Sequence, residues 1–585
     1  MPQSRLGPIL KTAVLALTLS LAACGGGGGG TSDGGTNAPP APPQPPTPTP
    51  QPVTRQAILE ASKFLNQATF GPTYTEAEDL AYSSQSLWLR DQFAAAPTLH
   101  VDALLADGVA NDFESFRAAS DSYWGAIISG EDQLRQRMVF ALSQILVISE
   151  GQTSVLSGLP LTSAHYMDIL SRNAFGNYRD LLEDVTYSPA MAAYLTYLYN
   201  AKGDMETGRV PDENYAREIM QLFTIGLVEL RMDGSVVMDG NGRPIETYDN
   251  TDVTGLARVF TGLGLNGENF WPDDSVADAT YTPLEVFEFF HSDLEKSFLG
   301  TTIPAGTRAR TSIDTALDTL FNHPNLPPFI SRQLIQRFTT SHPSPAYIQR
   351  VATVFANGSY TLPDGTVIGE GQRGDLAATL AAILMDSEAR QAPDTAPNDW
   401  GKVREPVLRF THWARAFGID GTQAWREDYL WDTSSSGSLG QHPFRAPSVF
   451  NFYRPGYVAP GTETGAAGLT APELQIVNEA SVIGFANFMS AFITDNTWGD
   501  NRTETLGFHP DYTAEMAIAD DPDALLDRLD AVFTYGTLST ATRDRMREII
   551  AGVPIDDQAP DEGRLGRVQI GVLMILTAPE YTVLR

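Results

Sequence analysis

Apolar residues recur at helical spacing along most of this chain. Leu134, Met138, Ala141, Leu142, Ile145 and Leu146 form one such stripe, with Arg135, Arg137 and Gln144 between them, and predict a helix within Glu131–Ser149. The same spacing predicts helices over Arg55–Thr69, Tyr178–Tyr199, Asn214–Ile225, Val253–Phe260, Ser312–Phe321, Pro327–Thr340, Ala346–Ala356 and Arg373–Ser387. It continues through Val403–Ala416, Ala471–Phe492, Pro522–Phe533, Thr540–Ile550 and Leu565–Thr577. Thr75-Glu76-Ala77-Glu78 reads as a capping box, and Thr251 or Asp252 as the N-cap of the Val253 helix.

The period breaks at Val228–Tyr248, where Asp233-Gly234 and Asp239-Gly240-Asn241-Gly242 separate alternating apolar stretches and predict small β-hairpins. Phe287–Ile303 predicts a further short strand pair. Trp425–Pro460 is a long loop rich in Gly, Ser, Pro and aromatic residues, a length that in compact domains often carries function. The fold class that follows is mainly α: a large multi-helix globular body over residues 54–585 with one or two small β-hairpins. The Pro-containing stretch Gln391–Asn398 is the natural place for an internal sub-boundary, near 390–400.

The N-terminus has a different pattern. Arg5 and Lys11 precede an apolar run, Ala13–Ala23, too short for a transmembrane helix, so residues 1–23 read as a secretory signal peptide. Leu21-Ala22-Ala23-Cys24 resembles the bacterial lipobox, which implies cleavage before Cys24 and acylation of that residue. Cys24 is the only cysteine of the chain, so there is no disulfide framework or Cys-based zinc cluster. Gly25 follows it rather than Asp, which resembles lipoproteins sent to the outer membrane of a Gram-negative cell. Residues 24–53 then form a tether, a Gly25–Gly30 coil followed by a stiffer stretch, Pro39–Pro52, that cannot bury enough apolar surface to fold. The expected partner of the N-terminus is therefore a membrane, reached through lipid.

Composition adds two limits. The 42% of apolar residues is enough for a sizeable core. The formal charge of −32 opposes non-specific nucleic-acid binding, and no nucleic-acid partner is expected. Motifs exclude more. Gly262-Leu263-Gly264-Leu265-Asn266-Gly267 has the letters of a dinucleotide loop, but a helix precedes it and Trp271-Pro272 follows. No phosphate-binding loop, His-Glu-x-x-His, Gly-x-Ser-x-Gly or Ser-x-x-Lys occurs, and no two of the eight His stand at helical ligand spacing. Asp239-Gly240-Asn241-Gly242 with Glu246 lacks calcium-loop spacing and reads as a turn. No metal set emerges, and no cofactor can be assigned.

Several long motifs together resemble one family, the bacterial proteins catalogued as domain of unknown function 1800. They are Phe64-Leu65-Asn66-Gln67-Ala68-Thr69-Phe70-Gly71-Pro72, the stretch Asn214–Leu227, Tyr248–Asp252 and Leu256–Gly262. Pro328–Ile335, Arg373–Leu376, Arg404–Val407 and Ala446–Phe452 complete the set, so the resemblance spans almost the whole body. It implies an exported, mostly helical domain, often encoded beside a companion family (domain of unknown function 1501) that resembles sulfatases and alkaline phosphatases. It implies no established activity. The Lys-x-x-Leu-Gly element begins at Lys296, but His291-Ser292-Asp293 stands where the family pattern has His-Asp.

Asn214, Arg217, Glu218 and Gln221 lie three and four residues apart and form one polar helix face opposite Ile219, Met220, Leu222 and Phe223. Such a face can hold a substrate or metal, or pin helices together. Arg332, Arg337, Arg373, Asp375, Arg404 and Glu405 read as interhelical clamps. Glu218, Asp252, His291 and Asp293 are the acid/base candidates, with Asn214, Arg217, Gln221 and Lys296 as binding candidates. Two readings follow. One is a surface-tethered envelope lipoprotein that binds or scaffolds an exported partner, the companion family being the expected one. The alternative is an exported hydrolase of polysaccharide or peptidoglycan using Glu218 with Asp252 or His291, its aromatic loop (Phe444, Phe450, Phe452, Tyr453, Tyr457) stacking sugars.

Overall fold

Thr54 opens the first helix of the body: its hydroxyl accepts the Ala57 N–H, and the helix runs Arg55–Ala68. The computed structural model describes residues 53–151, 156, 158–267, 269–272, 277–397, 399–421, 430–495 and 508–585. The signal segment, Cys24 and the tether up to residue 52 lie outside these residues, as do residues 425–429 of the predicted loop.

The body is mainly helical, and its only sheets among the described residues are two-stranded antiparallel pairs. Where helix boundaries differ from the sequence pattern, local chemistry is the reason. The stretch Tyr178–Tyr199 is two helices, Tyr178–Thr186 and Pro189–Tyr194, because a proline ring at 189 is unfavourable inside a helix and suits a first turn. Glu479–Ile493 begins at an Asn478 cap rather than at Ala471. Thr73, not Thr75, closes a capping box with Glu76. Asp249 caps the helix Asn250–Ala257, and Asp252 is the third residue of that box, so neither Thr251 nor Asp252 is its N-cap. Both Asn214–Ile225 and Pro522–Phe533 change winding midway: Asn214–Glu218 runs into a π-helical turn, Ile219–Thr224, and Pro522–Leu529 into another, Asp530–Thr534.

The predicted hairpin arm is present as isolated bridges, Val228 with Glu246, Leu230 with Val236 and Met238 with Pro244. Asp239 makes its turn, accepting the N–H groups of Asn241 and Arg243 at 2.8 and 2.9 Å. Lys296–Phe298 pairs with Thr301–Ile303. Three pairs are not expected from the sequence: Leu263–Gly264 with Glu285–Val286, Tyr360–Thr361 with Val367–Ile368, and Lys402–Val403 with Val583–Leu584.

Residues 53–585 form one compact unit, with helices before and after residues 390–400 sharing the core. Trp124 of Ala118–Ser129 meets Phe410 of Pro406–Ala416 edge to face at 5.7 Å, and Phe410 meets Phe492 at 5.1 Å. Among the described residues no helix is long and apolar enough to cross a membrane.

Candidate functional site

The Asn214–Glu218 helix presents the polar face expected of it, but the π-helical turn changes its last member. Glu218 is buried, and its Oε2 has no hydrogen-bond partner among the described residues. Burial raises its pKa, while neighbouring Arg217 pulls it down. Arg217 is half-exposed and pairs with Glu213 at 3.5 Å. Gln221 lies in the wider turn, and its Oε1 accepts the Tyr248 hydroxyl at 3.4 Å. Asn214 donates to Thr196 Oγ1 at 3.4 Å. Burial and then the Glu218 charge push Tyr194 up to about 12. Glu218, Arg217, Gln221, Tyr194 and Tyr248 therefore make one patch, mouthed by a π turn of the kind often found at functional sites. Ile219, Met220 and Phe223 face inward and are fully buried.

Asp252 and His291 are placed differently. Asp252 accepts the Asp249 N–H on one oxygen (2.9 Å) and the Leu299 N–H on the other (2.7 Å), so both oxygens tie backbone together. Its helix touches the Glu218 segment through Thr254, whose hydroxyl donates to Glu213 at 2.9 Å. His291 is buried; Nδ1 donates to the Thr261 carbonyl at 2.9 Å, and Nε2 lies 3.3 Å from the Ser312 hydroxyl. Burial lowers its pKa and keeps the ring neutral. Lys296 is fully buried, with its ammonium on the Leu294 carbonyl at 3.2 Å. Exposed Asp293 pairs with Lys202 at 3.6 Å. Arg217 and two tyrosines, Tyr194 and Tyr248, interact electrostatically with Glu218.

The clamp residues do bind backbone across the fold. Arg404 donates to Asn66 Oδ1 (2.6 Å) and to the Phe533 carbonyl (3.1 Å). Arg373 reaches the Phe321 and His323 carbonyls at 3.0 and 2.9 Å. Arg337 reaches Gln144 O at 3.4 Å, and Asp375 caps Leu376–Met385. The aromatic loop divides between core (Phe444, Tyr453), half-buried (Phe452, Tyr457) and exposed (Phe450) positions. Phe444 packs edge-on against Tyr123 at 5.0 Å, and buried Tyr453 donates to Gln144 at 3.2 Å; Phe450 alone of the five is classed as exposed.

Two features have no counterpart in the sequence reading. One is a fully buried ionic centre. Lys402 sits between Glu473 (2.5 Å) and Glu405 (3.3 Å), and Glu405 also accepts the amides of Gln144 (2.5 Å) and Gln441 (2.7 Å). Burial alone would raise Glu405, yet the Lys402 and Arg137 charges with those amides hold it down to about 2. The other is a cavity of about 1180 Å³ whose lining includes Lys63, Arg390 and Arg585. The available signal was small: the chain has only five lysines, and of the four among the described residues three (Lys63, Lys296, Lys402) are buried. Among the described residues no cluster of three or more His, Cys, Asp or Glu is arranged to hold a metal ion.

The architecture is thus a helical body whose long polar motifs are spent largely on holding helices together, with one motif face left partly open. Residues 63–583 match the family described as protein of unknown function (DUF1800), and the chain belongs to that family. No curated protein and no solved structure matches the chain.

Proposed function

We propose that the chain is an envelope lipoprotein whose body binds an exported partner through the Asn214–Gln221 face, Tyr194 and Tyr248. The reading combines the lipobox and tether of residues 1–53 with one observation in the body: a buried Glu218 oxygen without a hydrogen-bond donor, beside Arg217 and Gln221. A buried acceptor left unmet costs about 1–3 kcal/mol, and a donor from a bound partner removes that cost. The companion family remains the proposed partner. Hydrolysis by Glu218 with Asp252 or His291 is less well supported, since the latter two already use their polar atoms on neighbouring groups.

Two tests follow. Cys24→Ser leaves the chain out of the membrane fraction; unchanged fractionation sinks the anchor. Capture from solubilised envelopes recovers a specific partner with the native chain and roughly tenfold less with Glu218→Gln, the loss of one charge-assisted hydrogen bond. The Glu218→Gln body itself unfolds at the same or higher denaturant concentration, because the substitution removes a buried charge.

A further inference from the structure

The cavity of about 1180 Å³ exceeds the usual 300–1,000 Å³ of a small-molecule site, roughly, and lies apart from the Asn214 face. Its wall sets three cations, Lys63, Arg390 and Arg585, against three carboxylates, Glu60, Asp394 and Glu580. Lys63, on the first helix of the body, is 5% exposed; one of its ammonium protons goes to the Gln391 carbonyl at 2.5 Å. Arg390 and Arg585 act electrostatically on Lys63. Buried donors in the same wall have no partner among the described residues: Arg390 Nε and Nη2, Gln391 Nε2, Trp400 Nε1 and Arg585 Nε. Trp400 is only 6% exposed, so its indole N–H is removed from water without compensation.

The acids of the wall do not accept from these buried donors. Glu60 and Asp394 are exposed, and Glu60 already accepts from Gln56 at 2.9 Å. Glu580 spends one oxygen on Ser539 and Thr542, leaving Oε2 unpartnered. Three cations and three carboxylates balance in formal charge, but the unpartnered buried groups are five N–H donor atoms against one acceptor oxygen. A carboxylate offers two oxygens, whereas a phosphate near neutral pH carries a charge close to −2 and at least three acceptor oxygens. Leu59, Pro393 and Val583 give the rest of the wall an apolar surface for an organic body.

We propose that this cavity binds a phosphate-bearing ligand, its phosphate held by Lys63, Arg390 and Arg585. The tether is a poor occupant, since residues 25–53 contain a single carboxylate, Asp33. Burial and then the charges of Arg390 and Arg585 lower Lys63 to about 7. Glu60, Asp394 and Glu580 are the carboxylates that face the same space, and a bound phosphate adds acceptor oxygens for the donors they leave unmet. Phosphate binding is then linked to proton uptake by Lys63 and weakens as pH rises through about 7.

The test is calorimetric titration of the full-length chain with inorganic phosphate at about pH 7 and, to read the pH dependence free of the phosphate's own titration, with sulfate at about pH 6 and about pH 8, either side of the Lys63 midpoint. Saturable binding, weaker at the higher pH, is expected. Lys63→Gln and, at the end of the chain, Arg585→Gln each lower the affinity about tenfold. Arg585→Gln keeps the test decisive if Lys63→Gln fails to fold. Displacement by glycerol phosphate assigns a soluble ester; displacement only by phosphatidylglycerol doped into the detergent assigns a lipid headgroup. No binding, binding unchanged in the variants that fold, or binding that appears only after Asp33→Asn overturns the proposal.

Discussion

Glu405→Ala lowers the unfolding free energy of the body by about 3–5 kcal/mol, the usual cost of removing one partner of a buried ion pair. In the native chain Lys402 and Arg137 are balanced by Glu405 and Glu473 in a region closed to water. Without Glu405 the two cations face one carboxylate, and the amides of Gln144 and Gln441 lose their acceptor. Urea unfolding followed by circular dichroism measures the loss. A single variant within about 1 kcal/mol of the native chain would remove the ionic centre from the account. The same group sets an acid limit. Its folded pKa lies below its ordinary value of 4.5, so its contribution is full above about 4.5 and is lost as pH falls towards about 2.

Gly255→Ala destabilises the body by about 3 kcal/mol, the upper part of the range for overpacked sites. Gly255 lies in the helix Asn250–Ala257 where it crosses the strand Lys296–Phe298. A methyl group there would stand 1.8 Å from the Ser297 carbonyl oxygen and 2.8 Å from its carbon. Backbone cannot rotate away as a side chain can, so helix and strand must separate. That separation also pulls Asp252 from the Leu299 N–H. Thermal unfolding monitored at several wavelengths reads the effect; a change within about 0.5 kcal/mol would mean that the two elements do not touch as described.

Much of this fold is legible in the sequence because helical periodicity is a local property. The stripes at Arg55–Ala68, Ala309–Asn322 and Thr540–Gly552 needed only apolar spacing to be recognised. The failures mark interactions that spacing does not encode. The π-helical turn after Glu218 depends on how Ile219, Met220 and Phe223 pack, and it moves Gln221 off a simple i, i+3 face. Asp252 resembled a catalyst or a cap because the sequence cannot show the Leu299 N–H waiting 47 residues away. Lys402 and Glu473 are separated by 71 residues, and the cavity wall draws on both ends of the body, from Gln56 to Arg585. Clamping by Arg373 and Arg404 was legible because paired guanidinium groups inside apolar surroundings have few uses other than binding carbonyls and carboxylates.

The central claim is that the Asn214–Gln221 face is where the body meets its partner. A photo-crosslinking residue at Arg217 in living cells tests it most directly, with one at exposed Met205 as the control. The account predicts a single exported protein captured from position 217 and not from 205, and lost when Glu218→Gln is added. Equal capture from both positions, or capture from 217 that Glu218→Gln leaves unchanged, would contradict it.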